Sequence, residues 1–215
     1  MMENIHFDEF VRMLNRSIEI IEREHKQLSE LDSISGDGDH GTTMLRAMKL
    51  ISKAIKEQER KDLKSLFGSI GWSLLGVDGG ATGPLLGTMF KGMSESLEDE
   101  RESASGAEVV KMFESGLRSL EKITKARIGD KTMMDALEPA IHALRESVVR
   151  GSSVLEAFKA AAEAAERGAE ETTKSIARFG RAKNLGDKTL GHKDPGATSM
   201  MLIFRGFYEG LLNRE

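Results

Sequence analysis

Apolar residues recur along the chain in steps of three and four, the spacing that gathers them on one side of a helix. Phe7, Phe10, Val11, Leu14, Ile18 and Ile21 form the first such stripe. A second runs through Met44, Leu45, Met48, Ile51 and Ile55, and a third through Leu63, Leu66, Phe67, Ile70 and Leu74. The fourth takes in Leu85, Leu86, Met89, Phe90, Met93 and Leu97. The fifth, Val109, Val110, Phe113, Leu117 and Leu120, is entered through Ser105 with Glu108 three residues on, a capping-box pattern. Met133, Met134, Leu137, Ile141, Leu144 and Val148 make a sixth, an alanine-rich stretch from Ser153 to about Ile176 a seventh, and Met200, Met201, Phe204, Phe207 and Leu211 the last. No alternating run of strand length interrupts them. The pattern predicts an all-α fold of eight helices, and short connections make successive helices antiparallel, an up-and-down bundle or barrel. The length suits one domain over residues 1–215. Pro84 and Pro195 stand just ahead of apolar stripes, where a missing N–H does no harm. Pro139 falls inside the sixth and predicts a kink or a boundary there.

Glycine marks the connections. Gly36, Gly38 and Gly41 lie between the first two stripes, Gly79, Gly80 and Gly83 between the third and fourth, and Gly129 between the fifth and sixth. Gly180, Gly186, Gly191 and Gly196 precede the last. In an antiparallel bundle every second connection lies at the same end, so all these loops are expected at one end, and the functional site with them.

Composition narrows the function classes. With 39% hydrophobic and 31% charged residues the chain reads as a soluble globular domain, without an apolar run long enough to span a bilayer. Met1-Met2-Glu3-Asn4-Ile5-His6 carries neither the basic nor the apolar region of a secretory signal, so the cytoplasm is the expected location. There is no cysteine, which removes disulfides, thiolate nucleophiles and cysteine-ligated zinc. A net charge of −4 with both signs interspersed argues against direct nucleic-acid binding.

The first loop, Leu31 to Met44, holds the most chemistry. Asp32, Asp37 and Asp39 fall within eight residues, among glycines that permit sharp turns. At about 5 Å and an effective dielectric near 20, two carboxylates repel by roughly 3 kcal/mol. Such a cluster persists splayed into water or neutralised by a cation, and magnesium is usually held by a few carboxylates together with substrate phosphates. His40, Thr42 and Thr43, which follow directly, are phosphate partners in kind. Three familiar loops fail to fit. Gly36, Gly38 and Gly41 spell a dinucleotide fingerprint, but a helix precedes them where a strand is required. The P-loop reading lacks its lysine, with Thr42 in that place. An EF-hand frame from Asp37 has Thr42 where glycine belongs and Met48 where glutamate belongs.

The other loops are suited to anions. Asp78-Gly79-Gly80-Ala81-Thr82-Gly83-Pro84 leads straight into a helix, so backbone N–H groups can converge on a phosphate, although the same residues make an ordinary helix start. Gly129-Asp130-Lys131-Thr132-Met133 is a weaker turn of the same kind. The basic, glycine-rich stretch from Arg178 to Ser199 is long for a connection; it could close over a phosphorylated ligand or remain a solvated excursion.

Taken together, Leu31-Asp32, Gly36-Asp37-Gly38-Asp39-His40-Gly41, Gly79 to Leu85, Gly129 to Met133 and Gly191 to Ser199 resemble the ADP-binding L subunit of bacterial dihydroxyacetone kinase, in order and spacing over essentially the whole chain. The resemblance implies an eight-helix antiparallel barrel with the nucleotide, ADP or ATP, at the loop-rich end. It implies that Asp32, Asp37 and Asp39 coordinate two Mg2+ ions and, with His40, form the catalytic set. By the same likeness His40, Gly41, Thr42, Thr43, Gly80, Ala81 and Thr82 would contact the phosphates. Gly129, Thr132, Met133, Arg181, Asp194, Pro195 and Gly196 would line the adenosine pocket. Thr43 and Thr82 stand where the family is expected to carry Asn or Thr and Ser, departures that keep a polar side chain. A related fatty-acid kinase nucleotide domain differs in its acidic loop and belongs to a longer chain.

In the resembling subunits a K-type partner holds dihydroxyacetone, and either ATP or a phosphohistidine protein acting on bound ADP supplies the phosphoryl group. The sequence alone leaves the donor, the ketose and the oligomeric state open. It also leaves room for a nucleotide-dependent regulatory module that contacts a transcription regulator, and for a purely structural bundle.

Overall fold

The computed structural model describes residues 4–77 and 80–212; Met1–Glu3, named in the signal reading, and Asp78 and Gly79 of the second glycine loop lie outside them. Among the described residues the eight α-helices are α1 (Phe7–Ser35), α2 (His40–Lys56), α3 (Leu63–Leu75), α4 (Thr82–Glu95), α5 (Gly106–Glu121), α6 (Met134–Val149), α7 (Val154–Glu171) and α8 (Pro195–Leu212). Sheet among the described residues is limited to two short strands, β1 (Ile5–His6) and β2 (Ser103–Ala104), paired antiparallel with Ile5 opposite Ala104. The all-α up-and-down reading therefore holds.

Local chemistry accounts for the boundaries. Ser105 and Glu108 form the expected capping box at the start of α5, and Ser153 with Glu156 forms another at α7. α1 extends a full three turns beyond its last apolar cluster. Leu28 is the only apolar side chain fully buried after Ile21, but nothing breaks the helix before Gly36. Asp32 therefore rides the final turn of α1 and is not in a loop. The seventh helix is shorter than its alanine pattern predicts. It ends at Glu171 and runs through a 3-10 turn, Thr172–Lys174, into the long connection, which winds a second 3-10 stretch at Arg181–Thr189.

Pro139 does not end α6, contrary to one of the two expectations placed on it. Without a proline N–H the carbonyl of Asp135 lacks its partner four residues on. Gly168 of α7 lies against that carbonyl, so closely that a β-carbon there would overlap it. The proline and the glycine together let two helix backbones approach.

Each helix packs on its sequence neighbours, and α1 closes the ring against α8. The core is phenylalanine-rich. Phe67 meets Phe10 edge-on at 5.4 Å and stacks with Phe90 at 6.1 Å, joining α1, α3 and α4. Phe113 touches Phe158, Phe204 and Phe207 at 5.7 to 5.9 Å, joining α5, α7 and α8. Aromatic pairs in these geometries contribute about 1 kcal/mol each beyond their buried area. No helix among the described residues is long and apolar enough to cross a membrane.

The alternation of the helices brings the connections at 36–39, 76–81, 122–133 and 172–194 to one end, here called the crown. α2, α4, α6 and α8 all begin there. Four helix N-termini thus present partial positive charge to the same space.

Candidate nucleotide and metal site

A cavity of about 650 Å³ opens at the crown. Asp32 enters it from the last turn of α1, and Asp37 and Asp39 from the connection to α2. One oxygen from each of the three carboxylates lies within 4.8 Å of the others. Gly38, at φ 76°, makes the turn that sets Asp37 and Asp39 on either side of it. The donors are all oxygen, with no nitrogen or sulfur, which suits a hard divalent ion and leaves its remaining positions for water or phosphate. Asp32 also accepts the His40 backbone N–H at 3.2 Å, fixing the start of α2 to the end of α1. Asp37 is ion-paired with Arg181, which reaches across from the long connection.

His40 is half-buried on the cavity wall. Burial of its ring lowers its pKa, while the nearby Asp32 carboxylate and the Pro195 carbonyl pull the other way. The net direction favours neutral imidazole at neutral pH. Its Nε2 lies 3.1 Å from Ser199 Oγ. Ser199 donates its own proton to the Gly196 carbonyl at 2.9 Å, so its oxygen is free to accept from the ring.

Gly80, Ala81 and Thr82 line the cavity where α4 begins, with Gly80 at φ 57°. Met44, Leu86, Met134 and Met200 form an apolar floor. Opposite the acids stand Thr132, Met133, Pro195 and Gly196, flanked by Phe179, Gly180, Arg181 and Asn184 from the long connection.

Behind this wall lies a buried set of charges. Asp194 accepts the Ala197 N–H at 2.7 Å, and burial pushes its carboxyl up to about 7. Lys131 is 4% exposed; its pKa is lowered by burial and partly restored by Asp194 and Asp135. Asp135 accepts the N–H groups of Gly129 and Thr132 at 2.6 and 2.7 Å, closing the turn before α6.

The cavity wall brings together thirteen of the residues singled out in the sequence: Asp32, Asp37, Asp39, His40, Gly80, Ala81, Thr82, Thr132, Met133, Arg181, Asp194, Pro195 and Gly196. The remaining four are set back from it. Gly41 is buried where α2 crosses α1, with no room for a β-carbon beside the His25 carbonyl. Thr42 is exposed on the first turn of α2. Thr43 is buried, its hydroxyl taking Arg46 at 3.1 Å, and Gly129 supplies the positive φ of its turn. Sequence reasoning missed Lys131, Ser199 and the wall made by Ile123, Thr124 and Ala126. Ser199 lies one turn beyond Pro195, which a helical projection of α8 could have revealed. A lysine beside a turn reads as solvated until its burial is seen. A second hollow, about 700 Å³ between α5, α6 and α7, holds none of the three acids and none of the glycine turns.

Comparison with known proteins gives the family. The model of the DAK2 domain family matches residues 34–209. The chain is 36% identical over 199 residues to the ADP-binding subunit DhaL of a PEP-dependent dihydroxyacetone kinase from Listeria innocua, covering 93% of this chain and 94% of that one. It is 36% identical over 197 residues to the corresponding Escherichia coli subunit, covering 92% and 93%. The crystal structure of the Citrobacter freundii dihydroxyacetone kinase with AMP-PNP and Mg2+ superposes with a TM-score of 0.74 at 28% identity, over 97% of this chain and 35% of that longer one.

Proposed function

The chain belongs to the DAK2 domain family, and from that premise we propose that it is the nucleotide-binding, phosphoryl-transferring L subunit of a dihydroxyacetone kinase, a single domain over residues 1–215 working in the cytoplasm. The observation that carries this reading is the convergence of Asp32, Asp37 and Asp39 within 4.8 Å at the end where four helix N-termini open. Acids there would repel a polyphosphate unless cations lie between them, and the N-termini favour the polyphosphate once they do.

Phosphoryl transfer depends on positioning and charge neutralisation more than on covalent chemistry. In this reading two Mg2+ ions supply the neutralisation. The three carboxylates would hold them, and the starts of α2 and α4 would orient the phosphates, directly at His40 and Gly80 to Thr82 and from behind the wall at Gly41 to Thr43. Neutral His40, held by Ser199, fixes the start of α2 without adding a charge of its own to the site. The apolar floor of Met44, Leu86, Met134 and Met200 excludes water beneath the reacting groups. Arg181 is placed to exchange Asp37 for a phosphate oxygen. Thr132, Met133 and Asp194 to Gly196, with Gly129 behind them, would hold the adenosine.

The acceptor comes on a partner, a K-type subunit carrying dihydroxyacetone. The apolar rim of the crown supports this. Ile34, Trp72, Leu75, Ile123, Ile128, Ile176, Leu185 and Leu190 are exposed on the crown half, whereas Val149 and Leu212 are the exposed large apolar residues at the other end among the described residues. Large apolar side chains left exposed mostly on one half of a fold suit a docking face. The names of the two bacterial relatives favour phosphoenolpyruvate as the ultimate donor, reaching bound ADP through a phosphohistidine protein.

Calorimetry with Mg-ADP on the wild type and on Asp37→Asn tests the site. Tight, Mg-dependent binding that the substitution abolishes is expected, and unchanged affinity would overturn the assignment. Transfer to dihydroxyacetone on adding a K-type subunit and a phosphohistidine donor tests the activity.

A further inference from the structure

Lys131 has an unusual position. It is the second of two residues with positive φ in one short turn, Gly129 at 92° and Lys131 at 62°, and for a lysine that backbone is strained. It is almost wholly buried, and its stem lines the cavity. Its ammonium is directed away from the cavity into the protein, donating to the Thr172 carbonyl and the His192 carbonyl, each at 2.5 Å. Those carbonyls belong to separate segments, the exit of α7 and the turn before α8. The Thr172 side chain strengthens the same junction: its hydroxyl accepts the Asp194 N–H at 2.9 Å and donates to the Ala169 carbonyl at 2.6 Å. Gly191 donates to the Thr173 carbonyl beside it at 2.8 Å.

We propose that Lys131 is a positioning residue that straps the 129–133 turn to the 191–196 turn and so holds the two halves of one cavity wall, Thr132–Met133 and Pro195–Gly196, at a fixed separation. The inference rests on the reading of that wall as the nucleoside side of a nucleotide site. A long flexible side chain is ordered here against its own backbone preference. It gives main-chain acceptors on two separate segments a charged donor, the Thr172 carbonyl being shared with the Ser175 N–H, and it sets a cation beside Asp194 and Asp135. Without it, the His192 carbonyl loses the ammonium, the Thr172 carbonyl keeps only the Ser175 N–H, and Asp194 loses the neighbouring cation, losses that the turns relieve by moving apart. The three acids are held by α1 and the start of α2 and do not depend on this strap.

The test is Lys131→Met, which keeps the length and apolar stem, beside Lys131→Arg, which keeps the charge and donors. The folded Lys131→Met protein is expected to bind Mg-ADP about tenfold more weakly, with Lys131→Arg recovering part of the loss. Faster amide exchange should be confined to residues 129–133 and 191–199. A folded Lys131→Met protein with wild-type affinity overturns the proposal, as does exchange that rises evenly through all the helices. Should that variant fail to fold, Thr172→Val loosens the same junction from its other side. It should show the same direction of change in affinity and the same local exchange, and wild-type behaviour in it also overturns the strap. A wild-type chain that binds no Mg-ADP defeats the underlying reading of the site instead.

Discussion

His40 and Ser199, 159 positions apart in sequence, meet at the cavity with Nε2 3.1 Å from Oγ. The bond ties the first turn of α2, beside the acids, to the first turns of α8, beside the opposite wall. One neutral hydrogen bond between helices that start at the same end thus joins the two sides of the cavity, beside the Arg181–Asp37 ion pair.

Ser199→Ala removes that bond and leaves the helix intact. A neutral hydrogen bond is worth about 1 kcal/mol, so Mg-ADP affinity should fall roughly fivefold by calorimetry. Affinity equal to wild type would show that His40 is held by its other contacts alone.

Asp37→Asn removes one of three like charges and the Arg181 ion pair together. Stability without ligand should not fall by more than about 1 kcal/mol, because the loss of the exposed Arg181 pair is offset by relief of the repulsion among the acids. The rise in melting temperature on adding Mg-ADP, expected of the wild type, should vanish. Thermal scans with and without ligand read both effects.

Asp194 gives a pH dependence of definite sign. Its carboxyl titrates near 7 in the folded protein against an ordinary value of 3.8, so between those values the folded state holds a proton that the unfolded state has released. Stability from this group is complete below about pH 4 and is lost as pH rises toward 7, by a few kcal/mol at most. His40 acts oppositely, since burial lowers its pKa and the folded state resists its protonation. The difference between wild type and Asp194→Asn isolates the aspartate: denaturant titrations from pH 4.5 to 7.5 should fall less steeply in the variant, which keeps an acceptor for the Ala197 N–H.

Gly168→Ala tests the α6–α7 contact. A methyl group there meets the Asp135 carbonyl that Pro139 leaves unpaired, and the helices must separate. A loss of about 1 to 3 kcal/mol is expected from overpacking. An unchanged melting temperature would mean that the two backbones are less tightly apposed than described.

Trp72 is 66% exposed in the last turn of α3, with Lys91 Nζ 4.0 Å from its ring centre. Trp72→Ala should leave Mg-ADP affinity unchanged while weakening association with a K-type subunit by about 2 kcal/mol, the scale of an interface hot spot. As the one tryptophan of the chain, it also reports docking directly through its fluorescence.

The helical stripes were legible because each faces one continuous core, and burial enforces the period. Phe10, Phe67, Phe113 and Phe204 all occupy positions that the spacing assigns to it. The placement of the glycine loops at one end followed from helix alternation alone. The end of α1 was not legible, since Glu22 to Ser35 is mostly solvated and its helicity comes from the absence of a breaker, a signal without periodicity. The strap at Lys131 was hidden for a different reason: it is built from main-chain carbonyls, which every residue has and no sequence displays. Ser199 lay within a recognised motif, but its bond to His40 exists only once the ring of helices is closed.

That closure has a bearing on how the molecule is made. The helix that seals the barrel against α1 also carries Pro195, Gly196 and Ser199, so the pocket is completed only after α1 to α7 have been made. A nascent chain can form α1 to α7 and already display the acidic cluster, yet its Phe113 and Phe158 would stand uncovered by Phe204 and Phe207. Late, long-range pairing of this kind slows the final folding step and exposes apolar surface while it waits. Ligand-binding competence and burial of the aromatic core therefore arrive in the same event.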